Sequence, residues 1–244
     1  MSRARPNNME PSPADFALEQ EPVPASRTDK GVGSGPLLGG LEATCEDCMA
    51  LMARYPDKHF DLAIVDPPYG IDAGKKHTGK GWVVRESKDW DKSGPGADYF
   101  CELYRVSKDQ IIWGANYYPS HLPKSMGWIF WDKGQRDFSL ADGELAFSSF
   151  DRALRVFEYS RGKMLADGER IHPTQKPVAL YRWLLENYAK PGQRILDTHL
   201  GSGSHAIAAH YFGAHLTACE IDPDYYAAAM ARIKRETAQT TLFT

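Results

Sequence analysis

Long apolar runs are missing from this sequence. No stretch approaches the ~18 to 20 apolar residues that a membrane-spanning helix requires, and the N-terminus carries no apolar block of the secretory kind, so a cytoplasmic setting is expected. Cysteine is scarce. Four of them (Cys45, Cys48, Cys101 and Cys219) in 244 residues make no disulfide framework, which agrees with a reducing compartment. Charge of one sign is scarce as well: 29 basic side chains stand against 32 acidic ones, a formal net charge of -3. That excludes a polycation that coats nucleic acid indiscriminately and leaves room for a local basic patch. What remains, 42% hydrophobic and 25% charged, is the composition of a globular enzyme-sized chain.

Residues 1–36 are rich in proline, serine and glycine, with no helical or strand period, and are expected to form a disordered arm. From about Leu37 the pattern changes. Leu41, Ala43 and Cys45 alternate as a strand does, Cys48, Leu51, Met52 and Tyr55 recur at helical spacing, and Leu62-Ala63-Ile64-Val65 is apolar throughout. A continuously apolar strand implies burial on both faces, hence a parallel sheet between helices. A helix is expected from Asp98 to Val106, then strands near Ile111–Trp113, Trp128–Trp131 and Leu145–Phe147. Beyond Pro177 come a helix ended by Pro191-Gly192, a strand at Arg194–Asp197, a tight turn at Gly201-Ser202-Gly203 and a helix closed by Gly213. A strand at Leu216–Glu220 and a last helix capped by Asp222 complete an α/β order.

Two segments carry chemistry. Strand, glycine turn, helix, strand and acidic residue, from Asp197 to Glu220, let a ligand approach the backbone at a helix N-terminus while a carboxylate accepts from ribose hydroxyls. A dinucleotide fold has nearly this spacing, but Asp197 would repel a pyrophosphate and suits a sulfonium or ammonium group. So little chain follows Glu220 that the other strands must precede Asp197, a permuted order. The second segment, Asp66-Pro67-Pro68-Tyr69-Gly70, ends the apolar strand. Paired prolines cannot continue a ladder, so they make a rigid exit rich in acceptors. Asp66 and the Pro67 carbonyl can take the hydrogens of an exocyclic amino group, with Tyr69 stacked on its ring.

At these residues the sequence resembles the permuted N6-adenine and N4-cytosine DNA methyltransferases. Asp61 to Gly70, Ile171-His172-Pro173-Thr174-Gln175-Lys176-Pro177 and Ile195 to Ser204 stand in that group's order, over roughly residues 40 to 238. A fourth stretch, Trp131-Asp132-Lys133-Gly134 through Phe138 and Glu144, looks like members common in phages and prophages. The resemblance implies a Rossmann-like S-adenosylmethionine-dependent fold: a mainly parallel seven-stranded sheet with helices on both faces. It implies Asp66, Pro67, Pro68 and Tyr69 as the catalytic group, and Asp197, Gly201, Ser202, Gly203 and Glu220 at the cofactor turn. Thr174 and Gln175 would lie near the methionine end of S-adenosylmethionine and Asp47 near its adenine. His199 departs from the pattern, standing where relatives commonly carry phenylalanine. The implied partner is double-stranded DNA, read by a segment over about 151–170; a homodimer is allowed. Beside the resemblance, a loop over about 71–91 leaves the lip at Gly70 with Lys75, Lys76, Lys80 and Arg85 and is expected to contact the DNA backbone, a merely solvated loop being the alternative. No metal is implied.

The activity expected is methylation of adenine N6, since aspartate heads the Asp-Pro-Pro-Tyr group. N4-cytosine methylation stays open, as do, more remotely, a nicotinamide dehydrogenase and a non-catalytic DNA-binding protein. Cys45 and Cys48 form a Cys-x-x-Cys pair, but both fit inward positions and no second pair exists, so core packing is expected of them.

Overall fold

The computed structural model describes residues 40–71, 91, 93–136, 141–168 and 170–238. The expected arm at 1–36, and Lys75, Lys76, Lys80 and Arg85 with most of the 71–91 loop, lie outside the described residues.

In chain order the strands are β1 (Leu41–Cys45), β2 (Phe60–Val65), β3 (Ser107–Trp113), β4 (Ile129–Asp132), β5 (Gly143–Ser148), β6 (Arg155–Glu158), β7 (Arg194–Asp197) and β8 (His215–Glu220). The helices are α1 (Cys48–Met52), α2 (Ala97–Val106), α3 (Arg161–Ala166), α4 (Val178–Tyr188), α5 (Ser204–Phe212) and α6 (Pro223–Ala238). All eight strands form one sheet in the order β1-β8-β7-β2-β3-β5-β4-β6. Every neighbouring pair is parallel except β3·β5 and β4·β5, so β5 alone runs against the rest.

Eight strands correct the expected seven. The added one is β6, which lies within the segment over 151–170 expected to read DNA and pairs parallel with β4 at the sheet edge. Only four residues long, with Val156 49% exposed, it lacks the apolar run that betrays an interior strand.

Alternation along the strands divides the core between two faces. Leu62 and Ile64 of β2, Ile111 and Trp113 of β3 and Ile195 of β7 pack with α4, α5 and α6 through Leu180, Leu184, Ile207 and Ile233. Ala63, Val65, Ile112 and Leu196 point the other way, onto Leu51, Met52, Phe100 and Leu103 of α1 and α2. Cys48 packs partly buried on this second core and Cys219 lies inside it, but Cys45, at the end of β1, is exposed, against expectation. As expected, Gly213 closes α5 in a left-handed conformation (φ 78°), and the Asp222 carboxylate accepts from the Asp224 and Tyr225 amides to start α6.

This topology fixes where a site can form. β2, from the first half of the chain, pairs with β7, from the second, and their carboxyl ends bring Asp66 and Asp197 to the same edge of the sheet. Such a junction between chain halves is where open α/β sheets leave a crevice for ligands.

Candidate active site

At that edge lies a cavity of about 370 Å³, lined among others by Asp47, Asp66, Pro68, Thr174, Lys176, His199, Gly201 and Glu220. Its size suits a nucleoside-sized ligand. Of the expected residues, Gln175 and Ser202 also line it, whereas Pro67, Tyr69, Asp197 and Gly203 do not.

The glycine turn is held from below. Asp197 is 2% exposed and uses one oxygen on the His199 amide (3.0 Å) and the other on His205 Nδ1 (2.9 Å), so it orders the turn from beneath rather than facing the cavity. Glu220 accepts from the Gly201 amide (2.9 Å) and the Asp222 amide (3.0 Å), one per oxygen, which leaves acceptor capacity toward the cavity. Burial raises its pKa, and those two amides oppose the rise. Gly203 begins α5 at φ 74°, and a Cβ there would meet the Ile233 side chain at 2.9 Å, so glycine is required on both counts. Arg232 of α6, 6% exposed, donates to the Ser202 carbonyl (3.0 Å) and Ser204 Oγ (2.9 Å), binding the last helix to the turn.

Around the cavity, Asp47 caps α1 by accepting from the Met49 and Ala50 amides. Gln175 Oε1 accepts from the Ile171 amide, and Thr174 Oγ1 lies 3.1 Å from His172 Nδ1. His199 is carried low, to about 4, by burial, with Asp197 and Asp47 opposing, so it is neutral at pH 7.

The proline lip is more occupied than its sequence implies. Tyr69 donates its hydroxyl to Asp66 Oδ1 (2.6 Å), while its ring stacks on Tyr117 at 5.0 Å and 15°. Gly114, at φ 69°, makes room for that ring: a Cβ there would stand 2.2 Å from it. Tyr118 donates toward the Pro67 (3.1 Å) and Pro68 (2.6 Å) carbonyls. Lys176 Nζ reaches Asp66 Oδ2 (2.5 Å) and Glu144 Oε2 (3.0 Å), and Lys133 holds Glu144 Oε1 (2.6 Å). Burial pushes the Asp66 carboxyl up, against the pull of Lys176; for Glu144 the two ammonium groups outweigh burial and bring it down to about 2.

Lys176, Glu144 and Lys133 are the charged residues at the lip that the sequence motifs did not single out. Lys176 sits inside the His-Pro-Thr-Gln-Lys-Pro block, next to Thr174 and Gln175. A lysine beside Pro177, at the start of an apolar helix face, was the available signal.

The fold is the Rossmann-like α/β fold of S-adenosylmethionine-dependent methyltransferases, with β2, which carries the lip, preceding β7, which carries the glycine turn, in the chain. A family model described as DNA methylase matches residues 142–231. "Putative methylase YubD" of Escherichia coli (strain K12) is 27% identical over 209 residues, covering 77% of this chain and 87% of that one. Two solved structures share the fold. The M1.HpyAVI–SAM complex has a TM-score of 0.54 at 16% identity, covering 79% of this chain and 99% of that one. PvuII DNA methyltransferase (cytosine-N4-specific) has 0.55 at 13%, covering 82% and 91%. Over these spans the chain is similar to the N6-adenine and N4-cytosine DNA methyltransferases.

Proposed function

We propose that this protein transfers a methyl group from S-adenosylmethionine to the exocyclic N6 of adenine in double-stranded DNA. The observation that carries this reading is that Asp66 and Pro68 of the lip line the same cavity as Gly201, Ser202 and Glu220 of the turn. An amino-group acceptor and a ribose acceptor thus face one space.

The donor set fits the cosubstrate. Glu220 has spare acceptor capacity for ribose hydroxyls, Asp47 and Asp98 add negative charge, and neutral His199 tolerates a cation. Glu220, Gly201, Ser202 and Asp47 would hold the nucleoside, and Thr174 and Gln175 the amino-acid end. When bound, S-adenosylmethionine supplies a methyl on a sulfonium, whose carbon–sulfur bond breaks with its electron pair left on sulfur.

The chain's own part is to present the nucleophile. An exocyclic amine shares its lone pair with its ring and attacks poorly. Hydrogen bonds from its two protons to Asp66 and the Pro67 carbonyl return electron density to nitrogen and aim it. Asp66 is then the nearest acceptor for the proton that the methylated nitrogen sheds. A base inside a duplex must rotate outward to reach this lip, and Tyr69 would offset part of the stacking it loses. Residues 151–170 are the target-recognition segment in this reading, supported by exposed Leu154, Arg155 and Val156 along the sheet edge.

N4-cytosine methylation is the second reading, because cytosine also carries an exocyclic amine and PvuII methyltransferase shares the fold. Incubating the protein with unmethylated DNA and S-adenosylmethionine, then separating nucleosides by mass spectrometry, decides between them. N6-methyladenine is expected; N4-methylcytosine as sole product replaces the first reading with the second.

A further inference from the structure

The subsite assigned to the target amine already holds an amine. Lys176, its side chain 2% exposed, has three oxygen neighbours: Asp66 Oδ2 at 2.5 Å, Glu144 Oε2 at 3.0 Å and the Tyr69 hydroxyl at 3.1 Å. Its charge also lies over the rings of Trp113 (5.4 Å) and Tyr69 (5.7 Å). Together with the hydroxyl bond from Tyr69, this engages both carboxylate oxygens of Asp66.

That arrangement suits a waiting enzyme and obstructs a working one. An incoming amino group must compete for Oδ2, and a full positive charge beside that oxygen opposes the positive charge that grows on nitrogen as the methyl arrives. Expulsion of the ammonium into water is barred by its burial. Glu144 offers it a second berth: its other oxygen is pinned by Lys133 at 2.6 Å, so it is both fixed in place and ionised.

We propose that Lys176 is a positioning residue that occupies the amine subsite of Asp66 while no base is bound and passes to Glu144 when one enters. The cation opposes protonation of Asp66 in its buried position and then hands it over open. This rests on the methyltransferase reading and deepens it by assigning Lys176, Glu144 and Lys133 to the same site. The other groups facing Asp66 are the hydroxyls of Tyr69, Tyr118 and Tyr181, all carried above their ordinary range by burial and therefore neutral.

The test is methyl transfer to unmethylated genomic DNA from pH 5.5 to 9.5, with cofactor affinity measured by calorimetry to show that each variant is folded. Lys176→Met removes the cation from Asp66 and leaves Lys133 only on the far oxygen of Glu144, so the acid limb of kcat should move up by a pH unit or more, with turnover recovering at high pH. Glu144→Gln strands the ammonium on Asp66, and kcat/KM should fall at least tenfold. The double variant should then be more active than Glu144→Gln alone, because the obstruction has gone. Losses that simply multiply, or an unmoved acid limb, overturn the proposal.

A second measurement needs no turnover and no altered lip. In wild-type protein labelled with ¹⁵N-lysine, the buried Lys176 ammonium, assigned by its loss in Lys176→Arg, should shift on adding 2′-deoxyadenosine and stay put with the purine deoxyriboside that lacks the amino group. An unmoved signal, or equal shifts, overturns the proposal. Absence of methylation by the wild type would instead sink the underlying reading and leave this result standing on its own.

Discussion

Glu220 and His199 show how single residues set the chemistry of the cavity. Glu220 spends one lone pair of each oxygen on the backbone, at Gly201 and Asp222, and keeps the remainder for a ligand. Glu220→Ala should therefore weaken S-adenosylmethionine binding by roughly 1.5 to 3 kcal/mol, the scale of a hydrogen bond to a charged group, read by calorimetry. Unchanged affinity would remove Glu220 from the ligand set. His199 has a pH signature. Its pKa falls from 6.5 to about 4 on folding, chiefly through burial, so the unfolded chain binds the proton first. The stability that neutral His199 contributes is complete above about pH 6.5 and is lost as pH falls toward 4, by up to about 3 kcal/mol. His199→Phe should flatten that part of the melting-temperature profile; an unchanged acid slope would contradict the assignment. Of these two, only Glu220 was legible as a ligand from sequence, because an acidic residue at a strand end after a glycine turn has a geometric meaning. A protonation state depends on neighbours that the sequence does not place.

Among the elements, α6 does more than cover the sheet. Its buried Arg232 joins the Ser202 carbonyl and Ser204 Oγ to Glu236 on its own helix (2.8 Å), so the turn and helix move as one. Arg232→Met preserves the packing volume and deletes the donors. It should lower stability by about 2 to 4 kcal/mol in chemical denaturation, since it strands a buried carbonyl and hydroxyl, and reduce cofactor affinity as well. Full affinity in a folded variant would show that the turn holds its shape unaided. The strand–turn–helix segments around β2, β7 and β8 were readable in advance because each combines an apolar run with a glycine or proline stop. β6 was not: Arg-Val-Phe-Glu has one paired side and an exposed valine, so its strand character comes from β4 and not from its own residues. Cys45 misled for a related reason, since alternation continues to the last residue of β1 while burial ends at Ala43.

At the scale of the whole molecule, the permuted order is what brings two chemistries together. β2 and β7 are far apart in sequence and adjacent in the sheet, so the lip and the glycine turn open into one cavity. The three ordered blocks made that arrangement legible. The salt-bridged cluster over it was not, because Lys176, Glu144 and Lys133 come from three separate segments and meet only when β4, β5 and the chain before α4 converge. The central claim, that Asp66 serves the base while the turn serves the cofactor, is tested most directly by comparing wild type and Asp66→Ala in one experiment. Calorimetric affinity for S-adenosylmethionine is measured alongside labelled methyl transfer to unmethylated DNA. The account predicts affinities within about threefold and transfer only by the wild type, at the scale of a lost hydrogen-bond acceptor to the reacting nitrogen or more. Undiminished transfer by Asp66→Ala would contradict it.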